Sequence, residues 1–402
     1  MKKGWQTKTL GEVCDVMNGG TPKTGEPEYW DGNHRWITPA EMGKRLSPYV
    51  SDTERKITDL GLRDSSARML PPNSVILSSR APIGHLVINT EPMGTNQGCK
   101  GLIPRSQIEH KFLYYYLSSI VDLLNSLGTG ATFKELSGGK LKEVAVPVPP
   151  LAEQQRIVSL LDEAFEGLAT AKANAEKNLQ NARALFESHL QSVFTQRGKS
   201  VRAGWHKTKL AELADVQSGA GFPTKFQGKV KGGIPFYKVS DMNLEGNERN
   251  MVHENNSITE EVRKKLGASL FPQGSVIFPK IGGAIATNKK RLTTRDCCVD
   301  NNVMGAIPKP GRMSSEFLYY FFLAYNLSDF ANEAHLPSIK KTVVEDWELC
   351  VPKTIPEQER IVEQLDSFTE ETQRLARLYE RKHAALEALK KSLLHQAFSG
   401  GL

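Results

Sequence analysis

Residues 4–16, GWQTKTLGEVCDV, return 200 positions later as residues 204–216, GWHKTKLAELADV. A period of this length indicates a duplicated domain and not a solenoid repeat. Four further pairs follow in the same order with small drifts in spacing, at residues 72–77 and 272–278, 101–104 and 305–308, 112–115 and 317–320, and 153–158 and 357–362. Segments 20–70 and 220–270 share little. We therefore expect two related units that perform one task on two different targets.

Composition excludes several classes of protein. The chain has 402 residues, of which 39% are hydrophobic and 24% charged, as in a globular protein of two or three domains. It contains no apolar run of about 18 residues for a membrane span and no apolar core for a secretory signal near its start. Five cysteines without a C-x-x-C pair argue against a disulfide framework and a zinc site. We expect a cytoplasmic protein without membrane contact and without a metal.

The net charge of +7 is unevenly distributed. Residues 1–150 hold 18 Lys and Arg against 15 Asp and Glu, and residues 200–350 hold 20 against 16, whereas the remaining segments are balanced at 14 against 14. A basic excess confined to two globular interiors favours contact with a polyanion, because lysine and arginine at phosphates release counterions.

Two proline-poor segments, from residue 151 to about 194 and from 356 to about 398, carry apolar residues at alternating steps of three and four. This spacing predicts helices of roughly 60 Å that pair as an antiparallel coiled coil. The predicted seam residues are Val158, Leu161, Phe165, Leu168, Lys172, Ala175, Leu179, Ala182, Phe186, His189 and Val193, with Ile361, Leu365, Phe368, Thr372, Leu375, Tyr379, Lys382, Leu386, Leu389 and Leu393. The polar members of both seams leave open the alternative that each helix packs only on its own domain.

The interiors combine short β-rich runs with one amphipathic helix each. Strands are predicted at residues 35–38, 74–77, 85–88, 144–147, 235–239, 275–278 and 347–351, and helices around 110–127 and 315–332. The predicted fold class is α+β, with two mixed α/β domains and an internal pseudo-two-fold duplication. The predicted boundaries are 1–150 for the first domain, 151–198 for the first long helix, 199–354 for the second domain and 355–402 for the second helix.

Searches for catalytic motifs find none. The chain has no Asn-Pro-Pro-aromatic motif of amino-methyltransferases, no phosphate-binding glycine loop, no H-E-x-x-H and no G-x-S-x-G. We therefore assign no catalytic residue and no metal ligand. Two alternatives stay open: an interaction scaffold whose basic interiors bind protein or RNA, and a nuclease built from scattered acidic residues.

Several of these motifs also occur together in a known family. The segments PVPPLAEQQRIV at 147–158 and IPEQERIV at 355–362, together with LGEV at 10–13, GGTP at 19–22, SRAPIG at 79–84 and NQG at 96–98, make the chain resemble the specificity subunit of type I restriction–modification systems. The resemblance covers nearly the whole chain, in order and twice.

This resemblance implies a non-catalytic DNA-binding subunit. Each target-recognition domain would recognise one half of a bipartite, asymmetric double-stranded DNA site. The helices would hold the two recognition domains about one DNA turn or slightly more apart, at roughly 34–36 Å per turn. Two methyltransferase subunits would dock on the helices, and restriction subunits that translocate DNA would complete the system. The chain would need no cofactor of its own, because S-adenosylmethionine, ATP and Mg²⁺ would belong to the partners.

Candidate DNA contacts are cations and hydrogen-bonding side chains near glycines or strand ends. In both units a cation and an amide occur at similar places, as in Arg80 with Asn96-Gln97 and Lys280 with Asn301-Asn302. Cations can bind phosphate, and amides can pair with adenine. The alternatives are solvated charges and turn-forming asparagines. The full set is Lys23, Thr38, Arg80, His85, Asn96, Gln97, Lys100, Lys134, Lys225, Lys238, Ser240, Lys280, Asn301, Asn302, Lys340 and Lys341.

The start of each long helix offers a candidate docking face for the methyltransferase subunits, with a merely solvated surface as the alternative. Its residues are Glu153, Gln154, Arg156, Glu357 and Arg360. The repeated aromatic residues are instead expected to pack in the core or between domains. They are Trp5, Trp205, Tyr114, Tyr115, Tyr319 and Tyr320.

Overall fold

The computed structural model describes residues 4–130, 134–194 and 203–402. Contacts divide the chain into two compact units, one formed by Met1–Glu176 with Arg381–Leu402 and the other by Lys177–Glu380. Each globular domain therefore shares a unit with a part of both long helices. Gly198, expected to follow the first long helix, and Ala131 and Thr132 of the loop before Lys134 lie outside the described residues.

The first unit contains a mixed sheet covered by short helices. Its strands are β1 Gln6–Thr9, β2 Cys14–Asn18, β3 Trp30–Ile37, β4 Tyr49–Val50, β5 Arg55–Ile57, β6 Val75–Ser79, β7 Ile83–Asn89, β8 Gly94–Thr95, β9 Cys99–Pro104 and β10 Ala145–Val148. Its helices are α1 Leu10–Val13, α2 Pro39–Met42, α3 Asp59–Arg63, α4 His110–Ser119, α5 Val121–Leu127, α6 Gly138–Lys142 and the first part of α7 Leu151–Phe194.

These strands form a five-stranded sheet in the order β2-β9-β6-β7-β4, a three-stranded sheet β5-β3-β8 and a ribbon β1-β10. The central strand β6 is buried along its whole length, as expected for a strand covered on both faces. Helix α4 lies on this sheet and buries Phe112 and Leu113 against Val75 and Leu77. The predicted β-rich runs are thus confirmed, with ends shifted by a few residues.

The second unit repeats this architecture. Its strands are β11 Trp205–Lys209, β12 Ala214–Ser218, β13 Ile234–Tyr237, β14 Asn250–Met251, β15 Ser257–Ile258, β16 Val276–Pro279, β17 Arg291–Thr293, β18 Cys298–Val299, β19 Val303–Pro308 and β20 Glu348–Pro352. Its helices are α8 Leu210–Leu213, α9 Glu260–Leu266, α10 Ser315–Leu323, α11 Lys341–Glu345, the last part of α7 and the first part of α12 Ile355–Ser399. The sheet orders β12-β19-β16-β17-β14, β15-β13-β18 and β11-β20 match the first unit strand for strand, which confirms the duplication and the α+β class.

The long helices α7 and α12 pair antiparallel within each unit. In the first unit Lys172 Nζ lies 2.8 Å from Glu387 Oε1. In the second unit Arg183 Nη2 lies 3.0 Å from Glu380 Oε1, and the rings of His189 and Phe368 are 4.7 Å apart. Rising numbers on one helix meet falling numbers on the other, so the predicted antiparallel pair is confirmed. Two polar seam positions, Lys172 and His189, are accommodated by these contacts.

The predicted seam is wrong near the end of α12. Lys382 and Leu389 are exposed, Leu389 by 47%, whereas Leu394 and Ala397 are buried. Next to Lys382, the His383 imidazole Nε2 lies 3.2 Å from Glu176 Oε1 of α7. A straight helix has 3.6 residues per turn, so a strict alternation of three and four drifts off the packed face over several turns.

The predicted helices at 110–127 and 315–332 are shorter than expected. Ile120 leaves the helical region, with φ −112° and ψ 19°, and separates α4 from α5. Helix α10 ends at Leu323, and a short 3₁₀ turn at Leu327–Phe330 follows, capped by the Asn326 side chain. Val239, predicted at the end of a strand, begins a 3₁₀ turn because the Asp241 carboxylate accepts a hydrogen bond from the Lys238 amide at 2.7 Å.

Candidate nucleic-acid interface

A tight turn joins β8 to β9 in the first unit, and its counterpart joins β18 to β19 in the second. The amide of Gly19 donates to the carbonyl of Cys99 at 3.1 Å, and that of Gly219 to Val303 at 3.0 Å. A Cβ on either glycine would lie 2.0 Å from a turn carbonyl, so only glycine fits there. These equivalent contacts align residues 96–98 with residues 300–302.

The sequence repeat suggested that Asn96-Gln97 corresponds to Asn301-Asn302, and this alignment is wrong by one position. Asn96 corresponds to Asp300, and Gln97 corresponds to Asn301. Asn96 Oδ1 accepts from the Gly98 amide at 2.7 Å, and Asp300 Oδ1 accepts from the Asn302 amide at 3.1 Å. The alignment of the two loops cannot be predicted from their own residues, because it depends on the register of β9 and β19 in their sheets.

Within each turn, some side chains hold the loop and others point outward. Asn96 Nδ2 donates to Thr21 Oγ1 at 3.1 Å, and Asn302 Nδ2 donates to Asp300 Oδ2 at 3.3 Å. These asparagines therefore have a structural role in their turns. Gln97 and Asn301 are exposed at the tips, and neither side chain has a hydrogen-bond partner within the described part of the chain. The tips present free amides, the groups that bind adenine in the major groove.

Arg80 follows β6 directly beside the first turn. A Cβ on Gly98 would lie 3.1 Å from Arg80 Cγ, so the absence of a side chain at Gly98 leaves room for the arginine. Arg80 Nη1 and Lys100 Nζ each lie 3.8 Å from one oxygen of the Glu135 carboxylate. Lys100 is buried, whereas Arg80 is half-buried. Two cations thus share one carboxylate through long contacts, a net charge of +1 that a phosphate oxygen could approach.

Lys280 is not the structural counterpart of Arg80. The amides of Ser79 and Lys280 donate to equivalent turn carbonyls, at 2.7 and 2.9 Å, so Lys280 occupies the position of Ser79 and Ile281 that of Arg80. Side chains of adjacent strand residues point to opposite faces of a sheet, so Arg80 and Lys280 project in different directions. Lys280 Nζ donates to Ser218 Oγ at 3.1 Å.

The two surfaces also differ in the residues around these cations. The second unit has Met304 at the sheet position of Lys100, because Asn18 pairs with Lys100 and Ser218 with Met304. The bridges formed by Arg80 and Ile281 likewise place Ser338 at the position of Glu135. The same framework therefore carries different chemistry in the two units.

The remaining candidate contacts lie in several places. Lys23, Lys134, Lys225, Ser240, Lys340 and Lys341 are exposed. Thr38 caps α2 by accepting from the Glu41 amide at 3.2 Å, and Lys341 lies 3.4 Å from Glu345. His85 is half-buried against Gly43, where a Cβ would lie 2.8 Å from the imidazole Nε2.

Glu135 is the site residue that sequence analysis missed. In the sequence, Glu135 is a single acidic residue directly after Lys134, and such a pair is most simply read as two solvated surface charges. Its role arises only because the fold brings it to Arg80, 55 positions earlier in the chain.

Gln154 belongs to the interior and not to the predicted docking face. Its side chain is fully buried, accepts from the Glu109 amide at 2.8 Å and donates to the carbonyls of Gln107 and Pro149, both at 2.9 Å. It therefore fastens the first turn of α7 to the N-terminus of α4. Its periodicity in α7 does not reveal this, because the polar atoms that it satisfies come from other segments. Gln358 performs the same task in the second unit, with contacts to Ser314 and Arg312.

About two helical turns further on, an aspartate holds each globular domain to its long helix. Asp162 accepts from Tyr115 Oη at 2.5 Å and from Lys111 Nζ at 2.7 Å. Asp366 accepts from Tyr320 Oη at 2.5 Å, but its cation is Arg249, which comes from just before β14. Burial raises the pKa of the Tyr320 hydroxyl to about 12.

The repeated aromatic residues pack in the interior as predicted. Trp205, Tyr115, Tyr319 and Tyr320 are buried, and Trp5 and Tyr114 pack partly buried against the first unit's core.

The other predicted docking residues remain on the surface. Glu153 and Arg156 pair at 2.8 Å, and Arg156 also donates to the backbone carbonyl of Leu402 at 2.9 Å. Glu357 is half-buried and Arg360 is exposed.

Comparison with known proteins assigns the family. The sequence profile of the type I restriction modification DNA specificity domain matches the chain twice, at residues 2–179 and 202–380. The chain belongs to the family of type I restriction–modification specificity subunits. The MjaIX specificity subunit of Methanocaldococcus jannaschii is 28% identical over 366 residues, which cover 87% of this chain and 83% of that protein. The EcoR124I/EcoR124II specificity subunit of Escherichia coli is 35% identical over 162 residues, 39% of each protein.

Solved structures show the same fold. The HsdS subunit from Thermoanaerobacter tengcongensis aligns with a TM-score of 0.64 and 20% identity over 100% of this chain and 98% of that one. A chain from a structural study of complex assembly and conformational transition in a type I restriction–modification system aligns with a TM-score of 0.79 and 20% identity, over 100% and 99% of the two chains.

Specificity subunits recognise DNA sequence and are non-catalytic, so the chemistry of such a system belongs to other subunits. Among residues 4–130, 134–194 and 203–402, no group of three or more His, Cys, Asp or Glu side chains is placed to hold a metal ion. Over the same ranges, no helix has the length and apolar character needed to cross a membrane.

Proposed function

We propose that this specificity subunit recognises a bipartite, asymmetric site on double-stranded DNA, with one half-site for each recognition domain. The observation that carries the proposal is a repeated framework with different exposed chemistry. The same turn presents Gln97 in the first domain and Asn301 in the second. Next to the turn, Arg80 contacts Glu135 in the first domain, and Lys280 contacts Ser218 in the second.

The roles of these groups follow from their chemistry. Glutamine and asparagine can pair with the N6 and N7 atoms of adenine, but their different lengths place the base at different depths. Arg80 and Lys280 would bind phosphates and hold the turn at the groove, because phosphate contacts position a protein without selecting sequence. Two unequal surfaces would select two unequal half-sites.

We further propose that the chain directs two methyltransferase subunits, and through them restriction subunits, to this DNA. The exposed Arg156 and Arg360 and the half-buried Glu153 and Glu357 occur at the start of each long helix and would supply two related docking places. S-adenosylmethionine, ATP and Mg²⁺ would be bound by those partners. The chain would act in the cytoplasm, where its DNA target lies.

The test begins with co-expression of this chain and the methyltransferase subunit of its system, followed by methylome sequencing to identify the site. Binding of the purified complex is then measured on duplexes that carry both half-sites, either half-site alone, or an altered spacer. We expect strong preference for the intact site and a large loss for each single replacement. A complex without sequence preference, or a chain that forms no complex, would refute the proposal.

Two variants assign the half-sites. Gln97→Ala should relax the preference at one base pair of one half-site, and Asn301→Ala at one base pair of the other, each by about 1–3 kcal/mol. Equal binding of RNA would support the scaffold alternative instead. Mg²⁺-dependent DNA cutting by the chain alone would support the nuclease alternative.

A further inference from the structure

The connection between two equivalent strands differs sharply in charge between the domains. Between β2 and β3, residues 19–29 contain one lysine, Lys23, and two glutamates. Between β12 and β13, residues 219–233 contain Lys225, Lys229 and Lys231 and no acidic residue. We call residues 225–231 the lysine loop. The formal charge of the connection thus changes from −1 to +3.

The backbone of the lysine loop is held by two buried side chains. The Gly228 amide donates to Asn256 Oδ1 at 2.9 Å. Ser257 Oγ accepts from the Val230 amide at 2.7 Å and donates to the Val230 carbonyl at 3.0 Å. Asn256 is 8% exposed and Ser257 2%. The loop is therefore a fixed turn, and binding through it would cost little conformational entropy of the backbone.

The three lysines are exposed and uncompensated. Across the described ranges, no carboxylate lies within 4.0 Å of Lys225, Lys229 or Lys231. Lys265 from α9 adds a further cation, because its ammonium lies 5.9 Å from the Phe226 ring.

The loop also adjoins a predicted DNA contact. Lys238 Nζ lies 3.5 Å from Gln227 Oε1, so the loop continues the proposed surface of the second domain. The first domain has the exposed acids Glu26, Glu28 and Asp31 in and just after the corresponding connection.

We propose that the lysine loop binds backbone phosphates of duplex DNA beside the second half-site. This inference rests on the proposed function and adds that the two domains contribute unequally to affinity. Fixed, uncompensated lysines release counterions when they meet phosphates, whereas the acids of the first domain would repel them. The second domain therefore supplies more of the salt-dependent, sequence-independent binding.

The test replaces Lys225, Lys229 and Lys231 by glutamine in the full chain, purified with its methyltransferase partner. A matched control replaces three other exposed lysines that form no ion pair with the residues described by the structure, Lys142, Lys207 and Lys353, and changes the net charge equally. Fluorescence anisotropy on a random-sequence duplex and on the cognate duplex is recorded at several salt concentrations.

We expect the slope of log K against log salt to become less negative by about 2.7 for the loop variant, at about 0.9 per phosphate contact, and to change little for the control. The ratio of cognate to random affinity should stay constant, because phosphates carry no sequence information. Equal slopes for the two variants would overturn the inference, as would a loop variant that loses its methyltransferase partner while its slope is unchanged. Failure of the proposed function is distinguishable, because the wild-type complex would then show no cognate preference at all.

Discussion

Gln154 provides a sharp test of how each recognition domain is fastened to its long helix. Its side chain is fully buried and makes three hydrogen bonds to backbone groups of Glu109, Gln107 and Pro149. Gln154→Ala removes all three hydrogen bonds at once and leaves their backbone partners in place. At about 1 kcal/mol net for each bond, we expect a loss of about 3 kcal/mol, and more if the freed groups stay dry.

The assay is thermal unfolding by calorimetry, combined with hydrogen exchange of peptides that cover α4. A loss of this size should lower the melting temperature of a unit of about 200 residues by roughly 6–12 °C. Exchange should quicken at the N-terminus of α4, where the Glu109 amide loses its acceptor. Gln358→Ala removes two hydrogen bonds and should cost about 2 kcal/mol in the second unit.

The matched control is Gln155→Ala, because Gln155 is the exposed neighbour in the same helical turn. Its effect should stay within about 0.5 kcal/mol. Gln154→Glu keeps an acceptor for Glu109 but places a carboxylate against two carbonyl oxygens, and should destabilise at least as much as alanine. If Gln154→Ala melts within about 1 °C of Gln155→Ala, the side chain does not fasten the domain and our reasoning is wrong.

Three further predictions concern charge. Glu135→Gln should make the slope of log K for DNA against log salt more negative by about one unit and raise affinity. Arg80→Ala should make the same slope less negative by about one unit. Unchanged slopes in anisotropy titrations would show that neither group contacts DNA. Burial lowers the pKa of Lys290 from 10.5 to about 7. Between pH 7 and pH 10 the unfolded chain therefore binds more protons than the folded chain, and the free energy of unfolding should rise over this range. Lys290→Met should abolish that rise in melting curves recorded against pH, and a rise of the same size in the variant would contradict the assignment. Asp366→Asn should destabilise the second unit by about 2–4 kcal/mol, because it weakens the ionic hydrogen bond of the half-buried Arg249. Adding Arg249→Gln should restore part of that loss in a double-mutant cycle, and strict additivity would refute direct coupling.

The sequence predicted the framework well because the framework is encoded locally. Helix α7 spans the whole of its predicted apolar stripe, from Val158 to Val193, and the buried strand β6 coincides with an apolar run. The later part of the α12 seam was wrong, because packing around Lys382 and Leu389 depends on the partner helix and not on the period alone.

The candidate site was predicted only in outline. The sequence pointed to Arg80, Lys280 and the two polar turns, but it paired the turns one position out of register. It also placed Gln154 on the surface and missed Glu135 and the lysine loop as a unit. The errors on the turns, Gln154 and Glu135 concern contacts between segments far apart in the chain, which no local pattern records. The lysines of the loop are visible in the sequence, but the contacts that hold its backbone come from Asn256 and Ser257.

By itself, the sequence determined that this protein is a duplicated α+β chain with paired long helices and the motifs of a type I specificity subunit. Repeats, periodicity and charge excess are properties of residues taken in order, so they are visible before folding. Only the tertiary structure decided which amides stand free at the turns and which cations lack a carboxylate. Strand register and side-chain burial decide those points, because a shift of one residue in a strand turns a side chain to the other face of the sheet.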